Sequence, residues 1–378
     1  MAIRKARLTS FKKTTLTIGV DLRCLPEDGS PGAGVAHAAR ELWYAFQTLK
    51  TDAVFVGFAA GKALARQPGI VRLEDASGAS LKKAIKHHPV DGLFVASGAV
   101  PPGVSVPVFP WAHDLAIFDH PEWFPQSWLK RQMTTRLFLK GLKQAAHVFA
   151  ISEDTKRAII KKAKLPASKI TVTYQGVEIP LLSEALSRAC RGERQGVVGA
   201  KAGRYALMLG TVEPRKNINF ITDLWPEVLK KLKTDVSLVV AGQDGWGKVN
   251  LPDEPWLMRK KKISDKEIAT LIHGASVVLV PSLHEGFGRV ALEAMAAHVP
   301  VIVSDRGALP EVVGAEGLAL PLEEKMWIKT IVKLLNDATF RERMIRGGRK
   351  RADRFFWPRV GALIAREIQN HLIKKSAR

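Results

Sequence analysis

Two short stretches carry residues whose types and spacing suit a phosphorylated ligand. In the first, the apolar run Val277–Val280 ends at Pro281, and Glu285-Gly286-Phe287-Gly288 precedes a helical pattern from Arg289 to Ala297. A strand that passes through glycines into a helix start presents unpaired backbone N–H groups and the positive end of the helix dipole. That arrangement suits an anion, most often a phosphate. Glu285 and Glu293 bracket the glycines, with seven residues between them. The second stretch is Gly210-Thr211-Val212-Glu213-Pro214-Arg215-Lys216-Asn217, which follows the strand-like run Tyr205–Leu209. Two adjacent cations at a strand end can neutralise a diphosphate, the arginine through its fork and the lysine as a point charge. On residue types alone, the pair could also be solvated, and Glu293 could simply complement a helix dipole.

A third candidate pair, His113-Asp114, follows the apolar run Val106–Phe109 and Trp111. Gly32 and Gly34 lie in the loop after the first strand. A histidine at a strand end is often structural, and two loop glycines say little alone. Three motifs are missing. There is no Asp-x-Asp pair to hold a metal-bound diphosphate and no Gly-Lys-Ser/Thr phosphate loop. Nor does a G-x-G-x-x-G fingerprint follow the first strand.

The elements that must position these residues alternate. Strands are expected at Leu16–Val20, Val54–Phe58, Gly92–Val95, Val106–Phe109, His147–Ser152 and Ile170–Tyr174, with helices near Val35–Leu49, Ser127–Ala146 and Thr155–Ala163. A second series follows: strands Tyr205–Leu209, Val236–Ala241, Val277–Val280 and Val301–Val303, and helices Ile218–Lys231, Asp265–Gly274 and Arg289–Ala297. Three amphipathic helices, Trp327–Leu335, Thr339–Phe355 and Trp357–Lys374, end the chain. Strand–helix alternation implies parallel sheets covered by helices on both faces. The apolar pattern fades between Pro180 and Arg204, so residues 186–204 are expected to be a linker or surface insertion. It separates a domain of residues 1–185 from one of residues 205–356, with residues 357–378 as a final helix.

The Glu285–Glu293 segment resembles the donor-binding signature of the retaining group 1 glycosyltransferases. Val301-Ile302-Val303-Ser304-Asp305, Gly307-Ala308-Leu309-Pro310-Glu311-Val312 and the Gly210–Asn217 segment match the same family. The likeness is strong from Tyr205 to Leu322 and weaker before it. It implies the GT-B fold: α/β, two Rossmann-like domains facing across a cleft, and a C-terminal helix crossing back to the first. It also implies a retaining hexosyltransferase, mannosyl or glucosyl, drawing on a nucleotide-diphospho-sugar such as GDP-mannose or UDP-glucose, with no metal and no other cofactor. Arg215 and Lys216 would stabilise the departing diphosphate, which the amides at Gly286, Phe287 and Gly288 would also meet. Glu285 would face the donor sugar, and Glu293 would bind the ribose hydroxyls. His113 would lie near the sugar, Asp114 on the acceptor side, and Gly32, Gly34 and Gly210 near the donor phosphates. Where many relatives have Asn in a Tyr-Asn-Gly-Val turn, this chain has Gln175.

Composition narrows the partners. Lys+Arg number 58 against 36 Asp+Glu, a formal net charge of +22. Such an excess favours polyanions: nucleic acid, anionic headgroups or phosphorylated substrates. A glycan or lipid-linked acceptor of cell-surface polysaccharide or lipopolysaccharide synthesis fits, with peripheral contact to an anionic membrane. Only Cys24 and Cys190 are present, which fits a reducing cytoplasmic setting. The basic N-terminus lacks a long apolar stretch, so no signal peptide is expected. Two other functions compete: a non-hydrolysing nucleotide-sugar epimerase of the same architecture, and a basic nucleic-acid-binding protein, which no recognised motif accompanies.

Overall fold

The structure, a computed structural model, describes residues 15–28, 34–61, 67–124, 126–177, 204–232 and 235–376. Gly32 and nearly all of the expected linker, residues 186–203, lie outside the described residues.

The first domain comprises β1 (Leu16–Asp21), α1 (Gly34–Thr48), β2 (Ala53–Ala59), β3 (Ile70–Arg72), α2 (Gly78–His87) and β4 (Gly92–Val95). It continues through β5 (Val108–Ala112), α3 (Ala116–Asp119), α4 (Trp128–Gln144), β6 (Val148–Ala150), α5 (Glu153–Ala163) and β7 (Ile170–Val172). All strand pairs are parallel, in the spatial order β3-β2-β1-β4-β5-β6-β7. The second domain comprises β8 (Tyr205–Leu209), α6 (Ile218–Leu232), β9 (Ser237–Ala241), β10 (Leu257–Lys260), α7 (Asp265–Gly274) and β11 (Val277–Val280). Then come α8 (Arg289–Ala296), β12 (Val301–Ser304), α9 (Leu309–Val313), β13 (Leu318–Leu320), α10 (Glu324–Asn336) and α11 (Ala338–Ala352). Its parallel order is β10-β9-β8-β11-β12-β13. Strand order reverses between β1 and β4 and between β8 and β11. Ligands of such sheets bind at those reversals, beyond the carboxyl ends of the strands.

The central strands are unbroken apolar runs because helices cover both faces. Every residue of β4, β9, β11 and β12 is buried. Helix starts are set locally. Ser152 accepts the Thr155 amide to cap α5, and Ser264 with Glu267 forms a capping box on α7.

Several elements differ from the sequence pattern. β3 and β10 are edge strands with no fully buried residue, and β10 carries Arg259 and Lys260, so neither shows an apolar run. α2 is held by Ser77 accepting the Ser80 amide at 3.1 Å, a cap in a stretch with little apolar signal. The strand expected at Val106–Phe109 sits later, at Val108–Ala112, because Val108 pairs with Leu93 and Ala112 with Ala150.

The final helix, α12 (Trp357–Ser376), leaves the second domain and packs on α1, with the missing side chain of Gly361 facing Ala45 and Leu49. An aromatic cluster joins the domains: Phe355 lies 5.5 Å from Tyr174 and 5.9 Å from Phe287, ring centroid to centroid. Glu311 of α9 crosses the gap. Its carboxylate accepts the Glu153 amide at 2.8 Å, the Asp154 amide at 2.9 Å and the Tyr174 hydroxyl at 3.3 Å. An acid from one domain thus caps a helix of the other. Glu311→Ala should cost about 1–2 kcal/mol. It should also speed hydrogen exchange at the Glu153 and Asp154 amides while leaving the β9 and β12 amides protected. Unchanged exchange at the two α5 amides would show that the contact holds nothing.

Candidate active site

The cation pair is placed by the turn after β8. Gly210 sits in the left-handed region at φ 125°, and Pro214–Lys216 forms one 3-10 turn. Asn217, also left-handed, donates to the Pro281 carbonyl at 3.2 Å, while Leu283 N–H donates to the Arg215 carbonyl at 2.8 Å. These bonds tie the β8 turn to the β11 turn. Arg215 and Lys216 therefore lie over Glu285, at the reversal of the second sheet.

Lys216 Nζ lies 2.6 Å from Glu285 Oε1, and Arg215 Nη1 lies 3.1 Å from Oε2. Ser282 donates to the same carboxylate at 2.8 Å. Burial alone would raise the Glu285 pKa, but the charges of Lys216 and then Arg215 outweigh it and hold the carboxyl at about 2. Arg215 also pairs with buried Glu213 at 2.6 Å and donates to the His284 carbonyl at 2.9 Å. So Arg215 and Lys216 are balanced by Glu213 and Glu285, and the quartet carries no net charge. Positive potential at this spot has to come from elsewhere. The N-terminus of α8 supplies part of it, with Gly288 as its left-handed cap at φ 104°.

Arg289 offers a further donor, although Glu293 balances its charge. It sits in the first turn of α8 and donates to Glu293 Oε1 at 2.9 Å through Nη2. Its Nη1 is buried with no partner among the described residues, and so is Nδ1 of His37 on α1. Burial, then the charge of Arg289, then Arg40, push the His37 pKa down to about 3. Two unsatisfied nitrogens in one electrostatic neighbourhood, one from each domain, are unusual, since buried polar groups nearly always find partners.

Both ring nitrogens of His113 are engaged inside the first domain. Nε2 lies 2.7 Å from the Ala96 carbonyl, and Nδ1 lies 3.4 Å from Gln175 Nε2. A carbonyl partner requires the proton on Nε2, so Nδ1 accepts from Gln175. Burial chiefly lowers the His113 pKa to about 4, leaving the ring neutral near pH 7. This ring is not poised to move a proton. Its backbone is what reaches the cleft: a Cβ on Gly286 would stand 2.3 Å from the His113 carbonyl oxygen and 2.7 Å from Asp114 Cβ. Asp114 accepts the Ala116 amide at 3.1 Å. The Phe287 side chain is buried in the interdomain aromatic cluster, so only its backbone is available to a ligand. Gly34 is exposed at the start of α1, with open space around it. Among the described residues no group of three or more His, Cys, Asp or Glu could hold a metal ion.

The structure thus gathers Gly210, Arg215, Lys216, Glu285, Gly286, Gly288 and Glu293 around the β8 and β11 ends, with His113 and Asp114 opposite. Residues 193–351 match the model of the glycosyl transferases group 1 family. Through this region the chain is similar to the group 1 glycosyl transferases. The O-antigen chain mannosyltransferase B of Escherichia coli is 31% identical over 256 residues, 65% of this chain and 65% of that protein. The chain spans less than two thirds of the length of such curated relatives. Anabaena HepE in complex with UDP-glucose superposes with a TM-score of 0.71 at 18% identity, over 94% of this chain and 100% of that one. Sucrose-phosphate synthase from Thermosynechococcus elongatus gives 0.71 at 17%, over 94% and 98%. The fold of the chain is therefore GT-B.

Sequence patterning does not reveal Glu213, Arg289, His37 or Glu311 as partners in this arrangement. Glu213 and Arg289 lie inside the two motifs and were legible only as neighbours of the charged pairs. His37 and Glu311 are brought to the cleft by the domain arrangement.

Proposed function

We propose that the chain transfers a hexosyl group, mannosyl or glucosyl, from a nucleotide-diphospho-sugar to a glycan or lipid-linked acceptor, with retention of configuration and without a metal. The observation that carries this reading is the convergence of Arg215 and Lys216 on Glu285, at the reversal of the second sheet and facing the first domain. The names of relatives support the sugar and the pathway: O-antigen chain mannosyltransferases from Escherichia coli and Salmonella typhimurium, at 31% and 27% identity. They favour cell-surface polysaccharide or lipopolysaccharide synthesis. HepE, solved with UDP-glucose, supports the donor class.

In this mechanism the bond between the anomeric carbon and the diphosphate breaks, and the electron pair leaves on the phosphate oxygen. Lys216, Arg215, the α8 amides and Arg289 stabilise that charge as it builds. The acceptor hydroxyl attacks on the same face, and its proton passes to the departing phosphate oxygen. Glu293 takes the ribose hydroxyls through the carboxylate edge that Arg289 leaves open. Closure of the domains limits attack by water.

The test is a panel of nucleotide-diphospho-sugars scored by thermal shift, followed by product analysis with a glycan acceptor. One donor at a hundred times its Kd should stabilise the protein by about 2.7 kcal/mol. Failure of every donor to raise the melting temperature would defeat the reading. Release of free epimerised donor without an acceptor would instead point to an epimerase.

A further inference from the structure

We propose that the first domain holds a second ligand site, for a small anion carrying a short apolar group, at the end of its sheet away from the cleft. Val90 and Val106 lead into β4 and β5 and so mark the amino ends of those strands. Between them and α2 lies a hollow of about 390 Å³. Sites for small molecules span roughly 300–1,000 Å³ and are mostly apolar, with a few polar groups that fix orientation. The floor here is apolar. Ile85 and Val90 belong to the core, while Val104 and Val106 pack on it and stay half-buried. β5 is five residues long, so the hollow stands roughly 16 Å behind the cleft face. No residue of the β8 and β11 ends lines it.

The rim gives the charge of the occupant. Lys82 and Lys86 stand one turn apart on the same face of α2, and both line the hollow. Two cations at this spacing repel each other. Neither has a carboxylate partner among the described residues, whereas Lys83 between them pairs with Glu74 at 2.5 Å. No Asp or Glu lines the hollow. The nearest acid in sequence, Asp91, is taken by the Thr17 amide at 2.7 Å. Gly103 closes the rim opposite α2. It is left-handed at φ 75°, and the position of its missing side chain lies 3.7 Å from Lys82 Nζ. Ser105, two residues on, adds a hydroxyl to the wall. An anion between the two ammonium groups would relieve their repulsion and could accept from Ser105 as well. The valines below would then cover an alkyl or aryl group. A phosphate or carboxylate bearing such a group uses both halves of the site. The inference stands apart from the transfer reading, since it uses none of the residues at the β8 and β11 ends.

Phenyl phosphate titrated into the full chain, labelled at its Ile, Leu and Val methyl groups for NMR, tests it. The methyl resonances of Ile85, Val90, Val104 and Val106 should shift saturably. Inorganic phosphate and phenol should each bind there at least about tenfold more weakly, because each meets only one half of the site. Lys82→Gln together with Lys86→Gln should weaken phenyl phosphate by about tenfold, the effect of two exposed charge pairs of modest strength. Both lysines are exposed, so this variant should keep the parent's melting curve. Equal affinity of parent and double variant would overturn the proposal. So would shifts confined to the methyls of Val280 and Val303, which would place the probe in the cleft instead.

Discussion

Lys216→Ala is expected to lower turnover by about a hundred- to a thousandfold while the protein stays folded. The size follows from position. Lys216 is the one cation of the quartet with a single carboxylate partner, Glu285, at 2.6 Å, and its side chain keeps 19% of its exposure. It can give a second N–H to a ligand phosphate without breaking that bond. Arg215 is spread over Glu213, Glu285 and the His284 carbonyl, so its role is largely to hold the two turns together. Loss of the lysine does not strand Glu285, which keeps Arg215 at 3.1 Å and Ser282 at 2.8 Å. The stability cost should therefore be about 1–2 kcal/mol, below the 3–5 kcal/mol of a buried charge left alone. The measurement is kcat with saturating donor, alongside far-ultraviolet circular dichroism and a melting curve. Near-parental turnover in a folded variant would remove Lys216 from the chemistry.

The fold was legible wherever an element had a strong apolar signature of its own. β11, α8 and β12 read directly from Val277–Val303, because a strand buried on both faces admits little but Val, Ile and Leu. The edge strands β3 and β10 were not legible, since an edge position leaves its residues half in water and free to be polar. The motif residues around the β8 and β11 ends were legible as types at spacings. Their charge balance was not: that Glu213 and Glu285 cancel Arg215 and Lys216 depends on how the β8 turn is tied to Pro281 and Leu283. His113 read as a strand-end histidine facing a ligand, yet its ring turns inward to Ala96 and Gln175. Pairing across seventeen and sixty-two residues leaves no periodic trace in the chain. Gln175, a departure from the usual asparagine, gains a physical meaning here as the donor that fixes the imidazole.

The glycine at position 286 brings the second domain hard against the first, and Gly286→Ala should be strongly damaging. A Cβ there would meet the His113 carbonyl oxygen at 2.3 Å and Asp114 Cβ at 2.7 Å, well inside van der Waals contact. The His113 carbonyl cannot move aside easily, because it accepts from Thr155 Oγ1 at 3.3 Å and follows directly on β5. The β11 turn is equally fixed: the Glu285 carbonyl accepts the Ala308 amide at 2.9 Å, and Gly307 packs against it. Relief must therefore come from the domains moving apart. Overpacking of this kind costs about 1–3 kcal/mol. The larger effect is on the reaction, since a displacement near 1 Å between reacting groups lowers rates about a hundredfold. Because separation also weakens the Glu311 cap on α5, the variant should exchange its Glu153 and Asp154 amides faster than the parent. Donor affinity should fall less than turnover, because the groups proposed for the diphosphate lie mostly on the second domain. A variant with parental turnover and parental exchange at those amides would mean that the cleft is wider in solution than these contacts require.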